Sequence, residues 1–199
     1  QLVAEATGAR AFAFDHNIRS AQGKQSKQRI RGGQQVQGPA HIVHGDYTLT
    51  SAPQRLRDLA KPPGGNDTLC CSVLAPGQTL ITDDMVARCL AEGGRFAIIN
   101  VWRNIADEPV QTHPIALCDG QTVAPEDLVV FEIHYQDRIG ENYFAKYAPG
   151  HAWYYYPQMT RDEALLIKQW DSDGFEDPST PPDAPDRWSI EVRCIVIYD

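Results

Sequence analysis

The chain has 199 residues, 42% of them hydrophobic, enough for one domain with a sizeable core. Its formal net charge of -8 and the lack of a basic face argue against a nucleic-acid partner. No run approaches the roughly 18 apolar residues that cross a membrane as a helix, and no basic, apolar leader is seen, so no membrane partner is expected.

The chain starts at Gln1, not Met, and its N-terminus is expected to be incomplete. Fourteen Pro and fifteen Gly favour strands and turns over a helical bundle. Residues 2–15 read as a mixed apolar segment ending in a strand at 11–14 (AFAF). Residues 20–38 are rich in Gln, Gly, Lys and Ser and read as a flexible loop, with the basic cluster Lys24, Lys27, Arg29 and Arg31 inside it. Residues 40–50 are β-rich, which puts His44 and Asp46 on or just after a strand. A short helix is expected over 52–60 (APQRLRDLA), stopped by Lys61-Pro62-Pro63-Gly64-Gly65.

The clearest helix is 82–92 (TDDMVARCLAE). Thr82 caps it, acids fill its first turn and Gly93-Gly94 ends it. Strands are then expected over 95–102, 115–118, 128–135, 151–156, 164–170 and 188–198, with a turn at 159–163. Many strands and few helices argue for a sandwich or barrel. The five Cys form no CxxC pair, and adjacent Cys70-Cys71 suits neither zinc nor a disulfide, so a reduced, cytoplasmic chain is expected.

Four groups of residues carry possible chemistry. In His44-Gly45-Asp46 the two ligand types are spaced i, i+2, so on a strand both face one point. With one distant His they would complete two His and one carboxylate, which leaves three positions open on Fe(II). The competing reading is a surface His and a turn-capping Asp.

The second group lies on the last strand, where Arg187, Ser189, Glu191 and Arg193 share a face. Arg offers a planar fork for a carboxylate and Ser a hydroxyl donor. The alternative is an outward polar face with internal ion pairs. Third, Asn100 and Trp102 face one way on their strand and Val101 and Arg103 the other. Arg103 at the strand end is placed to reach a carboxylate or to bond a loop carbonyl. Fourth, His151, Trp153 and Tyr155 share a face in the run HAWYYY. The aromatics are candidates for an apolar substrate pocket, and His151 is either a packed histidine or a fallback ligand. No G-x-S-x-G, P-loop or dinucleotide glycine motif is present.

The segments PAHIVHGDYT, FAIINVWRNI, PVQTHPIALCD, HAWYYYPQMTRDEALLIKQWDS and DRWSIEVRCIVIY occur in one order. Together they resemble the non-haem iron oxygenases that include fungal hydroxylase/desaturases of secondary metabolism and small-chain homologues from cephamycin methoxylation clusters. The resemblance runs from about residue 36 to the C-terminus. It implies a double-stranded β-helix (jelly roll) with a few flanking helices, with Fe(II), 2-oxoglutarate and O2. It implies His44 and Asp46 as iron ligands, and Arg187 with Ser189 as the cosubstrate clamp, supported by Arg193 and Arg103. Asn100, Trp102, Trp153 and Tyr155 are then the expected substrate contacts. The implied reaction is hydroxylation or desaturation of a small-molecule C–H bond.

One departure stands out. The family carries a His-Ser/Thr-Ala-Phe-x-Asp-Pro segment after the Asp-Ser of the penultimate strand. Here Asp171-Ser172-Asp173-Gly174 runs straight into Phe175-Glu176-Asp177-Pro178, so the tail of the segment is present without its His. The third ligand is expected in a loop missing from this sequence between Gly174 and Phe175. The whole of 1–199 is expected to be a single oxygenase-like domain. The alternative is a non-catalytic β-sandwich that binds small molecules around a degenerate metal site. A cupin-type jelly roll should carry an early His-x-His, which His41 and His44 do not form.

Overall fold

The computed structural model describes residues 1–27, 29, 35–65, 67–134, 139–173 and 194–198. Arg187, Ser189 and Arg193 of the expected clamp lie outside the described residues, as does the junction of Gly174 with Phe175.

Among the described residues nine strands fall into three antiparallel sheets. They are β1 (Arg10–Ala13), β2 (His44–Gly45), β3 (Phe96–Arg103), β4 (Ala116–Cys118), β5 (Leu128–His134), β6 (Ile139–Ala145), β7 (Trp153–Tyr155), β8 (Ala164–Asp171) and β9 (Cys194–Ile197). The sheets run β1-β9-β3-β8, β2-β6-β5 and β4-β7. Five helices flank them: α1 (Leu2–Thr7), α2 (Ala21–Gln25), α3 (Ser51–Leu59), α4 (Thr68–Val73) and α5 (Asp83–Leu90). The architecture is mainly β, as the composition predicts.

The four-stranded sheet is the structural centre because alternation sorts its side chains onto two buried faces. Phe96, Ile98, Ile195 and Ile197 pack on one side with Leu56 and Leu59 of α3, Cys70 of α4 and Met85 and Cys89 of α5. Ala97, Ile99, Cys194 and Val196 pack on the other with Val3 of α1. Helix α3 buries Ala52, Arg55, Leu56 and Leu59, a spacing that makes one stripe on a 3.6-residue helix. Helix α5 begins as expected, with the Thr82 hydroxyl accepting the Met85 N–H at 3.3 Å. It ends at Leu90, and the chain turns away through Gly93, in the left-handed region at φ 74°, and Gly94, where any Cβ would sit 2.0 Å from the Arg88 carbonyl oxygen.

Several local expectations needed tertiary correction. Residues 2–7 form a helix before the strand. The Gln-rich 20–38 stretch includes the short α2 and a bridge between Arg19 and Gln37. Of 40–50 only His44–Gly45 pairs as a strand, because β6 offers partners Phe144 and Tyr143 to those two alone. Neither α4 nor β6 stood out in the sequence. The segment Ile139–Ala145 (IGENYFA) has few β-branched residues, and its strand is held by seven pairs along β5. None of the five cysteines is in a disulfide. Burial raises the Cys70 thiol to about 11, with Asp67 adding to the effect, and burial also raises those of Cys118 and Cys194. Among the described residues no helix is long and apolar enough to cross a membrane.

Candidate functional site

The site forms where the end of β2 meets β3 and β8 of the four-stranded sheet. His44 sits opposite Phe144 in the ladder, with ring centroids 6.1 Å apart. Its Nδ1 lies 3.1 Å from the Ile42 carbonyl oxygen. A carbonyl only accepts, so Nδ1 carries the hydrogen and Nε2 is the ring's remaining coordination point. That Nε2 lies 3.6 Å from Asp46 Oδ1. The i, i+2 spacing therefore brings the two groups together as expected, although Asp46 lies just past the strand.

Asp46 is buried and is gripped from two other strands. Its backbone N–H donates to Gln169 Oε1 on β8 at 3.0 Å. Its Oδ2 accepts from Asn100 Nδ2 on β3 at 3.1 Å. Asn100 continues the row Phe96, Ile98 on the helix-backed face of β3, at the point where apolar packing gives way to polar groups. Gln169 is buried on β8, in alternation with Ile167 and Asp171, at an irregularity of the ladder. The ladder passes from Ile98–Trp170 to Ile99–Lys168, which leaves Gln169 as the extra residue of β8.

A lone-pair nitrogen and a carboxylate oxygen 3.6 Å apart are placed so that a cation could bridge them. Two cis ligands of one small dication at roughly 2.1 Å stand about 3 Å apart, so a small side-chain adjustment seats one here. An imidazole and a carboxylate suit iron(II). The donor set thus fits as two of three ligands. Among the described residues no group of three His, Cys, Asp or Glu could hold a metal. His151 does not join the pair. Its side chain is buried, its Nε2 is bonded to Asp127 Oδ2 at 3.0 Å, and its ring packs edge-on to Trp153. That bond holds the Asp127 carboxyl below its ordinary value. His151 is a packed histidine, the other reading its sequence context allows.

His44 and Asp46 open onto a cavity of about 350 Å³. Ile42, Ile133, Ile139 and Phe144 give it apolar lining, while Asn17, Arg19, Gln54, Arg55 and Glu141 make the rest polar. Much of the polar part is internally braced. Arg55 pairs with Asp67 and lies over the Phe14 ring at 4.7 Å. Glu141 accepts the Thr48 hydroxyl at 2.7 Å.

The expected substrate contacts do not gather here. Trp102, Trp153 and Tyr155 do not line this cavity, and Trp153 and Tyr155 stand exposed on the β4–β7 pair. Arg103 is exposed at the end of β3 and donates to the Arg161 carbonyl at 2.9 Å, the loop-bonding alternative. Asn100 contacts Asp46 and is not among the cavity-lining residues. Gln169 went unnoticed in the sequence. Its only signal there is a polar residue in the middle of the strand LLIKQW.

The chain is similar in sequence and fold to several known proteins. A 47% identical stretch of 94 residues is shared with an uncharacterised protein in the dcmA 3' region of Methylophilus leisingeri, covering 47% of this chain and 43% of that protein. The hydroxylase/desaturase poxK of Penicillium oxalicum is 33% identical over 142 residues, 53% of this chain and 43% of its own. The Fe(II)/2-oxoglutarate-dependent dioxygenase nvfI of Aspergillus novofumigatus is 37% identical over 114 residues, 51% of this chain and 41% of its own. The chain thus spans less than half the length of these curated relatives. The solved iron and alpha-ketoglutarate-dependent endoperoxidase NvfI superposes with a TM-score of 0.66 at 28% identity, covering 98% of this chain and 65% of that one. The fold is accordingly the double-stranded β-helix of such oxygenases. A family model described as an oxidoreductase/YMDC permease-like domain matches residues 1–70 and 78–197, and the chain belongs to that family.

Proposed function

We propose that this chain carries the site of an Fe(II)- and 2-oxoglutarate-dependent oxygenase that hydroxylates or desaturates a C–H bond of a small molecule, with O2 as co-reactant. The observation that supports it is the buried Asp46 carboxylate facing His44 Nε2 at 3.6 Å beside the cavity. When bound, iron with 2-oxoglutarate and O2 supplies the oxidising power to break an unactivated C–H bond.

The chain's own groups hold and orient. His44 Nε2 and Asp46 Oδ1 are the two ligands, and the Ile42 carbonyl keeps His44 in the right tautomer. A third His belongs to the segment expected between Gly174 and Phe175. Arg187 and Ser189 are assigned to the distal carboxylate of 2-oxoglutarate with Arg193 nearby, on residue type and spacing. Arg103 is a weaker candidate for that role, since its guanidinium is engaged by Arg161. The mixed lining suits a substrate with an apolar body and hydrogen-bonding groups, held by Ile42, Ile139 and Phe144 on its apolar parts and by Asn17 and Gln54 on its polar ones. The pocket's part in the chemistry is to fix the target carbon near the metal and exclude water. Single-domain organisation and a cytoplasmic setting, which suits five cysteines outside any disulfide, are part of the same reading.

The test is anaerobic addition of Fe(II) and 2-oxoglutarate to the full-length protein. A weak visible charge-transfer absorption is expected, followed by succinate release on admitting O2, and both should vanish in His44→Ala. Full-length protein that shows neither signal overturns the assignment and leaves a small-molecule-binding β-sandwich.

A further inference from the structure

Two amides, separated from Asp46 by 54 and 123 residues in sequence, converge on it. Asn100 holds one carboxylate oxygen through its Nδ2, and Gln169 holds the backbone N–H through its Oε1. We propose that Asn100 and Gln169 are positioning residues that aim Asp46 Oδ1 at His44 Nε2 and so set the affinity of this site for a divalent cation. The inference rests on the reading of His44 and Asp46 as metal ligands.

Three observations carry it. First, Asn100 is fully buried, yet its Oδ1 has no hydrogen-bond partner among the described residues. An amide kept only for internal bonding would satisfy both ends, and an apolar residue would fill the same space without an orphan acceptor. What this amide does achieve is donation to Asp46 Oδ2, which turns Oδ1 toward the histidine.

Second, Gln169 is buried on β8 at the register shift, where no residue of β3 is paired with it. Its side chain delivers an acceptor to the backbone of the proposed ligand.

Third, a different kind of partner holds Asp171, a buried carboxylate on β8. Asp171 is bound by the cations Arg95, at 3.0 and 2.8 Å, and Lys168, at 3.0 Å. Those contacts offset its charge. The Asn100 amide, by contrast, orients the Asp46 carboxylate without adding a charge of its own, as an outer partner of a metal ligand does.

The test is Co(II) titration of the full-length protein under anaerobic conditions, read by calorimetry and by the visible spectrum of bound Co(II), beside the thermal midpoint of the metal-free protein. Asn100→Leu and Gln169→Leu are each expected to weaken Co(II) binding by about 10- to 100-fold, with a changed Co(II) spectrum at saturation. Because both act through Asp46, the double variant should lose less than the product of the two effects. If Asn100→Leu does not fold, the smaller Asn100→Ser carries the same expectation. Wild-type binding lost in His44→Ala but unchanged within twofold in both amide variants would overturn the positioning role while leaving the metal site standing. Failure of the wild type to bind Co(II) would overturn both. Lowered thermal stability with unchanged affinity would mark the amides as purely structural and also overturn the proposal.

Discussion

The two larger sheets meet water differently. In β1-β9-β3-β8 the strand β9 is buried throughout and the first five residues of β3 are buried, with a packed cluster on each face. In β2-β6-β5 the strand β5 leaves Val129, Val130 and Phe131 about half exposed, and no residue of β6 is fully buried. The first sheet holds most of the folding free energy, because stabilisation follows the apolar area removed from water. The second supplies His44 and, through Ile133, Ile139, Glu141 and Phe144, much of the cavity. The candidate site spans the seam. Its carboxylate is fixed by the well-packed sheet and its imidazole sits on the more open one. A carboxylate held in a well-packed region and a cavity opening on a looser one thereby belong to different parts of the fold.

The contrast can be broken from either side. Ile98→Ala opens a hole beneath the helix-backed face of β3 and should cost about 2–5 kcal/mol, measured by denaturant unfolding. A cost near zero would deny the four-stranded sheet its role. Asp171→Asn comes next. It leaves Arg95 and Lys168 facing a neutral amide at the far end of the same sheet. The expected loss is about 2–3 kcal/mol, below the full penalty for breaking a buried pair because Arg95 is one-third exposed.

That pair also gives a pH dependence. Burial pulls the Asp171 carboxyl upward, but the bonds from Arg95 and Lys168 outweigh it and the net shift is downward. A carboxylate depressed in the folded state contributes stability above its ordinary value of 3.8, and that contribution is lost as pH falls through the lower folded value. The stability gap between wild type and Asp171→Asn should therefore narrow below that pH. A gap that widens in acid would contradict the sign. The smallest effect belongs to the open sheet. Val130→Ala, at a half-exposed position of β5, should change stability by no more than about 0.5 kcal/mol.

Short-range features were legible in the residues. The His44-Gly45-Asp46 spacing implied a shared focus, and the side chains do meet. Thr82 and Gly93-Gly94 marked both ends of α5, because caps are local hydrogen-bonding events. Alternation located β3, β5 and β8 to within about two residues, the usual uncertainty of element ends.

What failed to be legible depends on partners distant in the chain. The aromatic run at 153–155 looked like pocket lining, but period-two alternation does not say which sheet a strand joins, and this one pairs with β4. Asn100 looked like a substrate contact, and nothing near it in the chain announces a carboxylate 54 residues away. Gln169 was invisible because its contact with the Asp46 backbone joins residues 123 apart, which neither segment announces alone. Composition, spacing and caps thus marked the mainly β class, the clearest helix and the pairing of His44 with Asp46, since each rests on contacts a few residues long. Which groups surround that pair, and which aromatics stand apart from it, waited on sheet pairing, because burial and convergence are set by neighbours brought together only when the chain folds.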